Sequence, residues 1–147
     1  MIPYALKLIP AMAEVEVDRS SGMIKVKRVV CAKDMGQVVN PKGATIQMEG
    51  CITMGLGYAL SEEVRFKNDR LLDVNFDTYD IPRFSWLPQI ETVIVPNPTL
   101  TPKGGGEPAI VCIGGVLATA VHGATGAKMR QLPMTPQRVK NALKKVG

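Results

Sequence analysis

The chain has 147 residues, of which 46% are hydrophobic and 21% are charged, and its formal net charge is +5. This composition is typical of one ordered globular domain and excludes the low-hydrophobicity, high-charge pattern of disordered chains. A positive net charge suits an anionic partner of any kind. The basic residues are mostly scattered and the few aromatic residues form no stacking series, so nucleic-acid binding is not expected.

The cysteines Cys31, Cys51 and Cys112 are odd in number and are never spaced as C-x-x-C. This pattern indicates neither a disulfide framework nor a zinc or iron–sulfur site. We therefore expect reduced thiols and a cytoplasmic protein. Residues 1–10 are apolar but too short for a membrane span, and they lack the basic leader and cleavage pattern of a signal peptide. No membrane span is expected in the chain.

A β-hairpin is the first predicted element. Residues 13–17 and 23–32 are rich in β-branched side chains, which favour strands. Residues 18–22 between them combine Asp, Ser and a terminal Gly, which is turn chemistry.

A long helix is predicted next, over residues 41–60. Asn40 supplies an N-cap and Pro41 suits the first helical position, after which apolar and small residues recur at intervals of three and four. Each interior glycine should weaken this helix by about 1 kcal/mol relative to alanine. The number of glycines indicates either close approach of another backbone or a ligand, or tight helix–sheet packing, and the sequence leaves both open.

The remaining elements follow in order. Residues 63–67 and 71–76 flank Asn68 and Asp69 as a second hairpin, and residues 90–95 resemble a buried strand. A small-sided helix is predicted from Glu107 towards Gly123, and Thr135 should cap a last amphipathic helix with basic residues facing solvent. The sequence predicts one α+β domain over residues 1–147, with β-hairpins or a mixed sheet packed against two or three helices.

The most unusual passage is the glycine run before Glu107. Glycines leave backbone N–H groups accessible, and a helix that starts directly after them attracts anions. Glu107 either complements the dipole of its own helix or presents its carboxylate to a site at the bottom of a glycine-lined loop. The run is not a nucleotide-binding P-loop, because no Lys-Ser or Lys-Thr follows the glycines.

Other candidate residues carry weaker signals. His122 is the only histidine, and without Cys or His partners at ligand spacing it makes no zinc site. We expect it to be packed or hydrogen-bonded, and a single histidine of this context supports no Ser-His-Asp set. The loop aspartates are expected to cap turns: Asp34, Asp73, Asp77 and Asp80.

Four short stretches, residues 29–41, 47–50, 55–57 and 105–108, resemble in order and spacing the molybdopterin-binding large subunit of the molybdenum hydroxylases, the xanthine dehydrogenase and aldehyde oxidase family. Their motifs, Asp-x-Gly-x-x-x-Asn-Pro, Gln-x-Glu-Gly and Gly-Glu-Pro, are weak singly but specific in series over about residues 13–134. The sequence is most similar to the bacterial isoquinoline oxidoreductase and aldehyde dehydrogenase type. The chain is identified as the C-terminal part of that subunit.

This resemblance implies an oxidoreductase component that hydroxylates an N-heteroaromatic or aldehyde substrate with water as the oxygen source. It implies a molybdopterin cofactor in the cytosine dinucleotide form, whose dithiolene holds the molybdenum. By the same resemblance Glu107 is the catalytic base, and the cofactor-binding residues are Gln47, Gly104, Gly105 and Gly106. No protein side chain is expected to ligate the metal. Electrons would leave through iron–sulfur clusters on a partner subunit.

The chain departs from the family in length, because family subunits are several times longer. The expected partners are therefore the remaining part of the molybdopterin-binding subunit, the iron–sulfur subunit and a small-molecule substrate. We expect the chain to be inactive without the remaining part. Two alternatives stay open: a non-catalytic assembly module that kept the fold, and an unrelated anion-binding domain that uses residues 104–106.

Overall fold

The structure is a computed structural model that describes residues 9–146. The sequence predicts neither a membrane span nor a signal peptide in residues 1–10. Residues 1–8 lie outside the described part of the chain, so for them this stays a prediction. The described residues begin with strand β1 (Ala11–Val17), which pairs antiparallel with β2 (Ile24–Lys33). In the turn between them, the Asp18 carboxylate accepts a hydrogen bond from the backbone N–H of Ser20 at 2.8 Å. The first predicted hairpin is confirmed.

Helix α1 (Pro41–Leu60) has the bounds that the sequence predicts. The Asn40 side chain accepts a hydrogen bond from the backbone N–H of Gly43 at 3.0 Å, which caps the first turn. The buried face of α1 includes Met48, Ile52 and Leu56.

The second hairpin is much shorter than predicted. Strands β3 (Phe66–Lys67) and β4 (Arg70–Leu71) have two residues each, and all four residues are exposed. Asn68 and Asp69 have positive φ angles of 50° and 60°, which is the turn geometry that their residue types favour. The strands stop early because this two-stranded sheet has no further strand to pair with.

Strand β5 (Gln89–Ile94) completes a three-stranded sheet in the order β1-β2-β5. It pairs in parallel with β2, from Arg28 opposite Gln89 to Lys33 opposite Ile94. The sheet is therefore mixed, and β2 is its central strand. A parallel pair needs a crossover connection, which here contains α1 and the second hairpin.

The predicted helix after Glu107 is divided into α2 (Pro108–Val111) and α3 (Ile113–Thr125). The Tyr58 hydroxyl donates a hydrogen bond to the Ile110 carbonyl at 2.5 Å and accepts one from the Gly114 N–H at 3.3 Å. In an unbroken helix those two backbone groups would bond to each other. A side chain inserted into the ladder interrupts a helix, which explains the break at Cys112.

Helix α4 (Pro136–Leu143) ends the described fold, and the Thr135 hydroxyl caps it as predicted. Of its basic residues, Arg138 is not simply solvent-facing, because it donates to Glu63 at 2.6 Å. The core lies between the mixed sheet and the helices α1 and α3, and its fully buried side chains include Val29, Ile113 and Leu117. The predicted α+β class is confirmed.

One long apolar run of the chain extends over α2 and α3. Pro108–Thr125 is long and apolar enough, by length and composition alone, to cross a membrane, and a third of it is buried in the fold. The run is broken at Cys112, and α3 packs on β1 and α1. These contacts are those of a core helix in a globular domain.

Candidate active site

Two loops meet beside the start of α1. The loop between β2 and α1 bonds to the loop that follows β5: Gln37 N–H donates to the Leu100 carbonyl at 2.9 Å, and Lys103 N–H donates to the Met35 carbonyl at 2.8 Å. Gly36 lies between these contacts with a φ of 70°, and a Cβ there would collide with the carbonyl oxygen of Thr101. Only glycine can adopt this φ and also leave room for the Thr101 oxygen. Gly36 of the Asp-x-Gly-x-x-x-Asn-Pro motif therefore allows the two loops to come together.

The Asp34 carboxylate fixes the same junction. One of its oxygens accepts from the Gly36 N–H at 2.9 Å, and the other accepts from the Asn97 side-chain amide at 2.8 Å. The hydrogen bond from Gly36, and then that from Asn97, hold the pKa of Asp34 below its usual value. Asp34 therefore caps a turn, as predicted, and also ties it to the second loop.

Gln47 and the glycine run come together, although 59 positions separate Gln47 from Gly106 in the chain. Gln47 is exposed on α1, and its Nε2 donates a hydrogen bond to the Gly106 carbonyl at 2.8 Å. The amide carbonyl of Gln47 takes part in neither of the two hydrogen bonds that the side chain makes, since both use Nε2. Gln47 can thus anchor the loop with its nitrogen and still offer an acceptor to a ligand.

Glu107 follows directly and is exposed. Its side chain makes no capping hydrogen bond to α2, which is a single turn of four residues. A dipole needs a run of aligned peptide units, so this short turn offers little for the carboxylate to complement. The first interpretation of Glu107, as a complement to its own helix dipole, therefore has little support, and the second, a carboxylate presented to a site in a glycine-lined loop, stays a prediction.

The glycine run leaves space beside Glu107. No atom outside its immediate neighbours lies within 4 Å of the point where a Cβ on Gly106 would stand. A Cβ on Gly105 would meet only the sulfur of Met35, at 3.6 Å. Gly104 and Gly106 are exposed and Gly105 is half-buried. The run is therefore accessible from outside the chain and can approach a ligand with its backbone.

Cys51 was missed by sequence reasoning and belongs to this site. Its thiol, 4% exposed, donates to the same Gly106 carbonyl at 3.1 Å. The signal that could have found it is its spacing, because Cys51 lies four residues after Gln47 and therefore on the same face of α1.

The other two thiols form a separate pair. The interaction between Cys31 and Cys112 raises the pKa of Cys31 and lowers that of Cys112 to about 7. All three cysteines are free, in agreement with the expected reduced state.

The remaining candidates lie elsewhere. His122 is in the last turn of α3, where its Nδ1 lies 3.0 Å from the Gly126 carbonyl, so it is hydrogen-bonded as expected. Asp73 is buried and paired with Arg65. Within residues 9–146, no group of three or more His, Cys, Asp or Glu side chains could hold a metal ion.

Several known proteins are similar to this chain in sequence and in fold. The family model of the molybdopterin cofactor-binding domain matches residues 3–88, which contain β1, β2, α1 and the second hairpin. A nicotinate dehydrogenase chain of Pseudomonas putida is 36% identical over 132 residues, which are 90% of this chain and 11% of that protein. The beta chain of isoquinoline 1-oxidoreductase from Brevundimonas diminuta is 36% identical over 134 residues, 91% of this chain and 17% of that protein.

A solved structure supports the same relationship. The aldehyde oxidoreductase of Desulfovibrio gigas superposes with a TM-score of 0.84 and 26% identity over 94% of this chain and 15% of its own. The chain thus spans less than a fifth of the length of each of these relatives. It belongs to the molybdopterin cofactor-binding domain family.

Proposed function

We propose that this chain carries the general base, Glu107, and part of the cofactor site of a molybdenum-dependent hydroxylase. The observation that carries the proposal is the contact of Gln47 with Gly106, at 2.8 Å, directly before an exposed Glu107. This contact unites the two motifs to which the family resemblance assigns cofactor binding and catalysis. An assembly module without turnover would have no need of an outward carboxylate at this point.

The residues present fit a molybdopterin cofactor. The open space beside Gly106 would admit a group that a Cβ would exclude. The backbone of Gly104, Gly105 and Gly106, together with the amide carbonyl of Gln47, would hold the cofactor by hydrogen bonds. When bound, the cofactor supplies a two-electron redox centre; we propose its cytosine dinucleotide form, with iron–sulfur clusters on a partner subunit as the electron exit.

Glu107 would act as a base on the hydroxyl group that becomes the oxygen of the product. A general base must be ionised and within hydrogen-bond reach of its proton. The carboxylate of Glu107 is exposed and makes no hydrogen bond to the start of α2. It can therefore take up a proton without first breaking a contact within its own helix.

The substrate class and the partners follow from the relatives. Their names refer to nicotinate, isoquinoline and aldehydes, so we propose an N-heteroaromatic or aldehyde substrate oxidised with water as the oxygen source. The relatives' greater length supports the remaining part of the molybdopterin-binding subunit as a partner that encloses the cofactor and forms the substrate path. The chain should be inactive without it.

The experiment is Glu107→Gln in the complete complex. The amide is nearly isosteric but cannot accept the proton, so turnover should fall about 10²–10⁴-fold while molybdenum content stays at the parent level. Glu16→Gln is the matched control, because Glu16 is a carboxylate on β1, away from the glycine run, that forms an ion pair with Lys27 at 3.1 Å. Turnover of the Glu107 variant within a few-fold of the control would contradict the proposal.

A further inference from the structure

The Gly106 carbonyl receives two side-chain hydrogen bonds from one helix. Gln47 Nε2 donates at 2.8 Å and Cys51 Sγ donates at 3.1 Å. The two donors are four residues apart on α1, and their own atoms lie 3.7 Å from each other. A carbonyl oxygen has two lone pairs and can accept both hydrogen bonds at once. We call this arrangement the Gly106 clamp: Gln47 and Cys51 donating to the carbonyl of Gly106.

The two donors differ in their surroundings. Gln47 is exposed, whereas Cys51 is 4% exposed and lies beneath the loop. A thiol is a weak donor, but Gln47 and Cys51 are the two side chains among the described residues that donate to the Gly106 carbonyl. Without the thiol, the carbonyl would keep one of its two side-chain hydrogen bonds, the one from Gln47.

The clamp acts on Glu107 through the peptide bond. The Gly106 carbonyl and the Glu107 N–H belong to one rigid plane, so holding the oxygen fixes the direction in which Glu107 leaves the loop. On the other side, Ile110 N–H donates to the Glu107 carbonyl at 3.0 Å, and Tyr58 holds the Ile110 carbonyl. Glu107 is thus held on one side by the α1 side chains that donate to the Gly106 carbonyl and on the other by the Ile110 N–H of α2, while its side chain makes no capping bond of its own.

We propose that Cys51 is a positioning residue, which acts with Gln47 through the Gly106 clamp to set the place of the Glu107 carboxylate. The inference rests on the proposed function of Glu107. The role requires a donor at position 51, since a side chain that merely fills the same volume would leave the Gly106 carbonyl with the hydrogen bond from Gln47 alone.

The first test measures amide hydrogen exchange on the full chain. Cys51→Ala should speed exchange at Ile110, whose N–H closes the turn at Glu107, roughly two- to tenfold, which is the equilibrium effect of one ordinary hydrogen bond. Cys51→Ser keeps a donor and should restore slow exchange. Ile52→Val is the matched control, because it removes a comparable volume from the core at the next position of the same helix.

Gln47→Ala provides a second variant that leaves the core intact, because Gln47 is exposed. It should speed exchange at Ile110 as Cys51→Ala does, even if the cysteine variant fails to fold. Exchange at Ile110 that is no faster in Gln47→Ala and Cys51→Ala than in Ile52→Val would overturn the clamp. Failure of Cys51→Ser to restore slow exchange would also overturn it, because volume rather than a donor would then be required.

The second test uses turnover in the complete complex. Cys51→Ala should lower kcat and leave KM nearly unchanged, and adding it to Glu107→Gln should cause no further loss. Multiplicative losses in the double variant would show that Cys51 does not act through Glu107. If Glu107→Gln alone keeps full turnover while exchange in Cys51→Ala still rises, the proposed function fails and the clamp stands as a structural device only.

Discussion

Gly55 of α1 allows a close approach that differs from both explanations that the sequence left open for the glycines of this helix, because its neighbour is another helix. A Cβ on Gly55 would lie 2.8 Å from both Cβ and Cγ1 of Ile113 on α3. Carbon atoms pack at about 3.5–4.0 Å, so Gly55→Ala must separate α1 from α3 by about 0.7 Å. Ile113 is branched at Cβ and fully buried, so no change of rotamer can relieve the contact. The close approach at this glycine is therefore helix-to-helix packing.

The expected cost follows from two opposing effects. Alanine should favour the helix by about 1 kcal/mol relative to glycine. Overpacking of a filled core should cost about 1–3 kcal/mol. We therefore expect Gly55→Ala to lower the free energy of unfolding by up to about 2 kcal/mol and to give no net stabilisation.

Gly50→Ala is the matched control on the same helix. Gly50 is exposed, and nothing lies within 4 Å of its virtual Cβ, so the propensity gain of up to about 1 kcal/mol should stand alone. Urea denaturation of both variants measures the two free energies of unfolding. Equal stabilisation by the two substitutions would refute the packing explanation, because it would mean that α1 and α3 separate at no cost.

Two further predictions concern the break after α2 and the loop junction. Tyr58→Phe removes the hydroxyl that bridges the Ile110 carbonyl and the Gly114 N–H. It should lower the free energy of unfolding, measured by urea denaturation, by about 1–3 kcal/mol. An unchanged or higher free energy of unfolding would show that this bridge does not stabilise the break between α2 and α3. Asp34 has a lowered pKa, so it stabilises the folded chain above its ordinary value of 3.8 and loses that contribution as pH falls through its folded-state pKa. Asp34→Ala should therefore be less stable than the parent chain at pH 7, and urea titrations at decreasing pH should show the difference narrowing; a gap independent of pH would contradict this.

Local signals predicted the elements whose ends are fixed by their own residues. Asn40 and Pro41 set the start of α1 through a side-chain cap, and Gly22 has the positive φ that the first turn needs. The Asn68-Asp69 turn was equally local. The residues that define the ends of such elements lie within a few positions of one another, so the local sequence pattern predicts them.

Long-range contacts fixed what the sequence alone could not predict. The break at Cys112 depends on the Tyr58 hydroxyl, which reaches the ladder from another helix. The parallel pairing of β2 with β5 joins strands more than fifty residues apart, and no turn signal marks it. Lys33 is fully buried at the end of β2, where residue type favours exposure. Each of these features depends on residues distant in the chain.

Part of the candidate site could likewise be predicted from the sequence, and part depends on long-range contacts. The glycine run and Glu107 form a local motif that the sequence itself indicates, whereas Gln47 is indicated by the family resemblance. Gln47 and the glycine run meet at the Gly106 carbonyl through a tertiary contact, and that contact shows that Cys51 belongs to the site.

The most direct test of Glu107 as the general base is single-turnover reduction of the molybdenum centre by substrate in the complete complex. This measurement isolates the chemical step from the proposed electron exit through iron–sulfur clusters on a partner subunit. Glu107→Gln should keep the fold and the metal and slow reduction by about 10²–10⁴-fold. If Glu107 only complements a helix start, the same change should cost about 0.3–1 kcal/mol of stability and leave the reduction rate unchanged. A variant reduced as fast as the parent enzyme would contradict the assignment.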